Sequence, residues 1–291
     1  MGIFGKLFKK KENIRKREGN PDVYDFPNEN ERMNWGMEKA KLTLHYFEEC
    51  LNNPKNGQQY FSVKARIEDN DKVEHIWLTE PSSDEQGNIY GVIGNEPIDV
   101  SNISINEKIG ITKEYLSDWM IIENGRLIGG YTIRAIREGL KGKELENFDK
   151  NLGGIFIDEG EDYFLSNFNT PEGAILSIED AYDSKDIEKA ISCKNFEKEA
   201  ELMLKNTVKI DIDKDLINKT AEVLKLSFIK SIQENGFPNF EGVKRVFKRN
   251  FISPEHCIVT EICIYPDGNK SSEKLNTFKK DNEWKVLNPA E

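Results

Sequence analysis

The sequence predicts an α+β protein built in two parts. A chain of 291 residues is about twice the length of a common domain. Its hydrophobic periodicity runs helix, then strands, and later repeats as several helices followed by strands. A glycine-bearing, acidic stretch separates the two runs. Hydrophobic residues make up 37% and charged residues 32%, which supplies two cores under a highly charged surface.

Residues 1–29 read as a basic tail and linker. Residues 1–18 hold seven basic side chains (Lys6, Lys9, Lys10, Lys11, Arg15, Lys16, Arg17) against Glu12 and Glu18. The net charge of -11 therefore leaves -16 on the remainder. Ile3, Phe4, Leu7 and Phe8 fall on one face of a short helix, so a weak contact between residues 1–18 and an anionic membrane surface is a sharper use of the same residues. Pro21 and Pro27 mark the linker.

Residues 30–150 read as one helix plus a small antiparallel sheet or barrel. Met33, Met37, Ala40, Leu44, Phe47 and Leu51 step by four and three, an amphipathic helix that Asn53-Pro54 ends. Phe61, Val63, Ala65 and Ile67 alternate with polar residues, and Asn70-Asp71 turns into a second strand over 73–78. Further strands fall at 88–93, 108–111, 119–122 and 126–128, with Asn124-Gly125 as a hairpin turn. Residues 131–140 read as a strand start running into a helix.

Residues 151–169, with Asp158-Glu159-Gly160-Glu161-Asp162, read as a connection. In 170–291, Thr170 caps a helix with Pro171 at its first position and Glu172 at the positive end of its dipole. Ser184 is expected to cap a second helix; a third spans 196–205, and a fourth runs from Leu216 to Gly236. Strands follow at about 241–251, 256–265, 272–279 and 284–287.

Several classes are excluded. No apolar run approaches the ~20 residues that span a bilayer. The acidic balance argues against a general nucleic-acid binder. Cys50, Cys193, Cys257 and Cys263 form no CxxC pair, and no secretory apolar segment precedes the first part, so free thiols in a reducing cytoplasm are expected. His256, Cys257 and Cys263 lie close in sequence, but Cys257 and Cys263 fall on one strand face as small apolar residues, so no metal is expected. Asp211, Asp213, Asp215 and Glu222 match four positions of a calcium loop, yet Leu216 stands where the loop needs glycine; the aspartates read as helix caps. No phosphate-binding glycine motif occurs, and no cofactor is expected.

The stretches Met33-Asn34-Trp35, Phe61-Ser62-Val63-Lys64, Val73-Glu74-His75-Ile76-Trp77, Ser117-Asp118-Trp119-Met120 and Gly125 to Thr132 occur in order over residues 33–140. With them this part resembles a bacterial family of unassigned function, the YegJ-like domain (domain of unknown function 2314). The resemblance implies no activity. Thr170 to Asp183, the helix order and the closing strand Glu283-Trp284-Lys285-Val286 make residues 170–291 similar to the nuclear transport factor 2-like fold, in which helices fill the mouth of a curved antiparallel sheet and form a cone. That fold hosts enzymes, binding modules and immunity proteins alike.

Two sets of candidate site residues follow. His75, Trp77, Asp118, Trp119 and Tyr131 occupy the family-motif positions and are the binding candidates of the first part. On a strand His75 and Trp77 share one face and Glu74 takes the other, so an Asp118–His75 pair requires the two strands to lie side by side. The three tryptophans Trp35, Trp77 and Trp119 read as core anchors before they read as a groove. Tyr182, His256, Glu261 and Tyr265 are candidates for a pocket in the cone. The expected function is a non-catalytic binding or accessory module with a protein partner. The alternatives are an immunity-type protein that neutralises a toxin and a small-molecule hydrolase or isomerase using the cone.

Overall fold

A computed structural model describes residues 30–207 and 212–289, plus a two-residue ladder between β1 (Ile14–Arg15) and β2 (Val23–Tyr24). Apart from that ladder, the basic tail and linker of 1–29 lie outside the described residues, as does Asp211. The chain divides into two compact units, Met1–Tyr163 and Phe164–Glu291.

In the first unit, α1 (Asn30–Leu42) and α2 (Leu44–Asn52) replace the single helix expected from periodicity. The break falls at Thr43. Its hydroxyl donates to the Lys39 carbonyl at 2.7 Å and accepts from the Trp119 indole at 3.2 Å, a side-chain bond that competes with the helical backbone. Six strands follow: β3 (Gln58–Asp69), β4 (Lys72–Ser83), β5 (Ile89–Ile93), β6 (Lys108–Ile111), β7 (Leu116–Glu123) and β8 (Arg126–Gly129). They form one antiparallel sheet in the order β6-β5-β4-β3-β7-β8, open at both edges rather than closed into a barrel. Then come α3 (Tyr131–Gly139) and α4 (Lys143–Asn151).

Strand alternation sorts this sheet into two cores. Val63, Ala65, Ile76, Leu78 and Trp119 pack with Ala40, Leu44 and Phe47 of α1 and α2. Trp77, Met120 and Ile122 pack on the other face with Ile133, Ile136 and Phe148 of α3 and α4. Residues 131–139 are helical from Tyr131 onward, with no strand start among them, because Gly129 and Gly130 both hold left-handed backbone (φ 65° and 61°) and turn the chain at once from β8 into α3. The segment 152–163 packs on the first unit. Arg126 Nε donates to Asp158 at 2.5 Å, Lys39 pairs with Asp162, and Tyr163 stacks on Tyr46 at 3.6 Å.

In the second unit, α5 (Pro171–Asp183), α6 (Ile187–Ser192), α7 (Phe196–Thr207) and α8 (Lys214–Asn235) precede a four-stranded antiparallel sheet. Its strands are β9 (Lys244–Ser253), β10 (His256–Ile264), β11 (Lys270–Lys280) and β12 (Glu283–Pro289), in the order β12-β11-β10-β9. The Thr170 hydroxyl accepts from Gly173 N–H at 3.0 Å, so the expected cap and Pro171 start are present. Asp186, not Ser184, caps α6 by accepting from Lys189 N–H at 2.9 Å; the Ser184 hydroxyl turns back to the Asp180 carbonyl. Asp213 caps α8 at 2.8 Å. Both regions are therefore α+β.

A Cβ at Gly129 would lie 2.5 Å from the Trp119 ring, whereas one at Gly125, also left-handed, would meet nothing within 4 Å. Gly129→Ala is expected to destabilise the protein by about 3 kcal/mol, through backbone strain and overpacking together. Gly125→Ala should cost about 1–2 kcal/mol, the left-handed penalty alone. Urea denaturation followed by tryptophan fluorescence checks this; equal losses would remove the role given to the Trp119 contact.

Candidate functional site

The family-motif residues do not form one surface. Trp119 is fully buried against α1 and α2 and donates its indole N–H to the Ala40 carbonyl at 3.1 Å. Tyr131 meets its ring edge-on at 5.6 Å. Trp77 is buried on the opposite face of the sheet. Asp118 is closed to solvent and accepts from four donors: Trp119 N–H (2.9 Å), Tyr131 N–H (3.1 Å), Thr132 N–H (2.7 Å) and the Thr132 hydroxyl (2.6 Å). It thus serves as the anion at the N-terminus of α3. Burial, the largest cause, pushes its pKa up to about 6 despite those donors and the Lys64 charge.

His75 lies two strands from Asp118, because β3 runs between β4 and β7. Its Nδ1 is instead 2.7 Å from Ser117 Oγ. A register shift makes this contact: Lys64 pairs with Asp118 but Ala65 pairs with Leu116, which leaves Ser117 as the extra residue of a bulge. A bulge re-aims a side chain, and no sequence signal marked this one. Ser117 is 2% exposed, so the pair offers no nucleophile to a substrate. Burial first, then the charges of Lys64, Arg66 and Lys41, lower the His75 pKa to about 4.

Among the described residues of the first unit, a groove of about 570 Å³ lies at one end of the sheet. β3 and β4 pair from Asp69–Lys72 as far as Ser62–Thr79, and their pairing stops there. Both strands bulge at that point. Tyr60 and Phe61 oppose the single residue Ile121 of β7, and Glu80 and Pro81 oppose the single residue Gly91 of β5. Tyr60 and Glu80 each hold a left-handed backbone (φ 52°) without being glycine. The strands splay, and the gap reaches both cores: Leu51 and Phe61 line it from the α1/α2 side, and Met120, Ile122 and Ile155 from the other. Tyr60 stands 55% exposed at the rim. Sequence reasoning missed this site. Pro81 inside a strand was the available signal, since proline in a sheet marks an edge or a bulge.

In the second unit the proposed pocket residues separate. On β10 the odd positions are buried and the even ones half-buried, so Glu261 and His256 point to opposite faces. His256 stacks on Phe278 at 4.1 Å and meets Asn276 at 2.9 Å. Tyr182 is half-buried among Phe228, Phe237 and Phe240, and the Tyr265 hydroxyl meets Ser271 at 3.2 Å. Cys257 and Cys263 share the buried face with Glu261 as small core residues.

Glu261 gathers other residues instead. Arg245 of β9 donates to Glu179 of α5 at 2.8 Å and lies 3.9 Å from Glu261. Burial, with Glu261 beside it, pushes the Glu179 pKa well up; burial also raises Glu261. Glu179, Glu261 and Cys263 offer ligand atoms within 4.8 Å of one another. Arg245 already supplies the positive charge a cation would bring, and burial pushes the Cys263 thiol up to about 12. We read this cluster as two carboxyl groups sharing one proton against one arginine. Its sequence signal was Glu172 and Glu179, seven apart on the apolar face of α5.

Residues 30–156 match the model of a family described as an uncharacterized protein conserved in bacteria (DUF2314). This is the family that residues 33–140 resemble. The uncharacterized protein YegJ of Escherichia coli K12 is 37% identical over 101 residues, 35% of this chain and 64% of that protein. A putative ankyrin repeat protein of Neisseria meningitidis serogroup B is 30% identical over 151 residues, 49% of this chain and 59% of that protein. The chain thus spans less than two thirds of either relative. Among solved structures, a putative NTF2-like transpeptidase from Campylobacter jejuni matches 41% of this chain and 98% of that one, at 15% identity and a TM-score of 0.23. Among the described residues no helix is long and apolar enough to cross a membrane.

Two predictions follow from these side chains. The depressed His75 pKa stabilises the fold fully above the unfolded value of 6.5, and that contribution is lost as pH falls through about 4. Proton NMR should find its ring titrating near 4, and His75→Gln should flatten stability between pH 6.5 and 4; a ring titrating near 6.5 would contradict the burial argument. For the acid pair, Arg245→Met is expected to cost about 3–5 kcal/mol, since it strands buried charge. Glu179→Gln should change stability by less than about 1 kcal/mol at neutral pH. A raised carboxyl pKa loses stability as pH rises above the unfolded value of 4.5, so this variant should gain on the parent with rising pH. A large loss in Glu179→Gln at neutral pH would show that both carboxylates are ionised.

Proposed function

We propose that the first unit is a non-catalytic binding module that takes a short, extended, apolar peptide segment between β3 and β4. The observation that carries this reading is the splay at the twin bulges. Beyond Ser62–Thr79, β3 still pairs with β7 and β4 still pairs with β5, so each presents its inner edge to the gap. A segment laid there adds main-chain hydrogen bonds to a sheet edge, and the apolar walls take its side chains. The exposed Glu80 at the rim favours a basic side chain on the segment. Two non-glycine residues held in left-handed backbone cost about 1–3 kcal/mol each, which is the kind of strain that collects at ligand sites.

The buried Ser117 and Asp118 support a non-catalytic role, because neither reaches a substrate. The test uses the full chain and a short synthetic peptide of alternating valine and lysine. Amide NMR shifts are expected at residues 58–62 and 79–83. Tyr60→Gly and Glu80→Gly should each stabilise the fold by about 1 kcal/mol while weakening that binding. Shifts confined to other strands, or unchanged binding in both variants, would sink the proposal.

A further inference from the structure

One wall of the groove is not part of the sheet. Ile155 lines it together with Met120 and Ile122, and Ile155 belongs to the segment that follows α4. That segment opens with Gly153-Gly154, both left-handed (φ 67° and 94°), and a Cβ at either would meet nothing within 4 Å. Glycine leaves this joint its full choice of backbone conformation, and no neighbour crowds it. Beyond the joint the segment meets the edge of β8. Phe156 N–H donates to the Gly125 carbonyl at 2.8 Å, and the Phe156 carbonyl accepts from Leu127 N–H at 2.9 Å. Ile157 is buried in the α3/α4 core, Ile155 is half-buried and Phe156 is exposed. Asp158 fastens the far side: its carboxylate accepts from Arg126 Nε at 2.5 Å and from Gly160 N–H at 2.9 Å, and lies 3.7 Å from Arg134. These charged side chains are partly exposed, so added salt weakens their attraction.

We propose that residues 153–160 are a strap that gates the groove. With Asp158 fastened to Arg126, Ile155 completes the wall; when that pair parts, the strap swings on Gly153-Gly154 and the wall opens. This rests on the reading of the groove as the site of an extended segment, and it adds how the segment is held and released. Opening breaks two main-chain bonds and one ionic latch, a local event that leaves the rest of the sheet paired. The burial of Ile157 returns the strap to its closed position. The closed strap retains a bound segment and the open strap lets it enter or leave, the gating role that hinged loops play at other sites. Asp158 is a positioning residue, because it lines no part of the groove and acts through Ile155.

The experiment uses the full chain, the valine–lysine peptide, the latch variants Asp158→Asn and Arg126→Gln, and the wall variant Ile155→Ala. Amide hydrogen exchange reads the strap, and dilute peroxide reads the wall, since oxidation of Met120 follows its access to solvent. In both latch variants the Phe156 and Leu127 amides should exchange about tenfold faster and Met120 should oxidise about tenfold faster, while the amides of Val63 to Ile67 in β3 stay as in the parent. Added salt should move the parent in the same direction. The latch variants should also release the peptide about tenfold faster. Ile155→Ala should weaken the peptide without changing exchange at Phe156, because it removes the wall and leaves the latch. Unchanged exchange and oxidation in both latch variants would overturn the strap. So would faster exchange spread equally through β3, which would make Asp158 and Arg126 residues of general stability. If the parent binds no peptide, the reading of the groove as a peptide site fails, and exchange with Met120 oxidation still decides the strap.

Discussion

Asp118 is a carboxylate closed to solvent, and its hydrogen bonds join the strand it sits on to the first turn of α3. The first unit depends on that junction. The first N–H groups of a helix have no partner within the helix, and burying them uncompensated is costly. Asp118 satisfies two of them along with the Thr132 hydroxyl. The left-handed pair Gly129-Gly130 makes the geometry attainable, because the chain turns from β8 into α3 with no intervening loop. The Trp119 ring then fills the space a side chain at Gly129 would need, and its indole N–H ties β7 to the break between α1 and α2. Both helical layers are thus registered on the sheet through two adjacent residues of β7.

This arrangement also sets the residues of the family resemblance apart from the open groove. The residues that carry the family resemblance are mostly those that hold the layers together: Trp119 and Tyr131 in one core, Trp77 in the other, Asp118 at the junction. The groove lies elsewhere, where β3 and β4 part. It arises from two bulges placed opposite each other, so neither strand can continue the ladder past Ser62–Thr79. A bulge costs local order and is kept where it re-aims backbone. Here the gap is lined by residues from both packed cores.

The second unit places ionisable groups inside rather than on its open face. Arg245 and the carboxyl pair lie between α5 and the sheet, where a low dielectric makes each unpaired charge expensive. Burial raises the pKa of both carboxyl groups, and Arg245 sets its positive charge beside them. The opposite side of the same sheet carries Ile258, Thr260, Ile262 and Ile264 of β10, all half-buried, so the two faces of this strand are under different constraints.

The sequence by itself determined the α+β class, most strand spans, the Thr170-Pro171 helix start and the burial of Cys257 and Cys263 on one strand face. These depend on local periodicity, capping and turn chemistry, which act over a few residues. It did not determine the split at Thr43, whose hydroxyl meets a tryptophan 76 residues away. The Ser117–His75 contact and the splayed groove were also illegible, because a bulge is a mismatch between two strands and neither strand records it alone. Glu261 was legible as a buried candidate, but its partners were not: Glu179 comes from α5, and Arg245 from the neighbouring strand. Tertiary structure decided these matters because each depends on which elements meet, and the energy of a buried charge or an inserted residue is set by that meeting rather than by its neighbours in sequence.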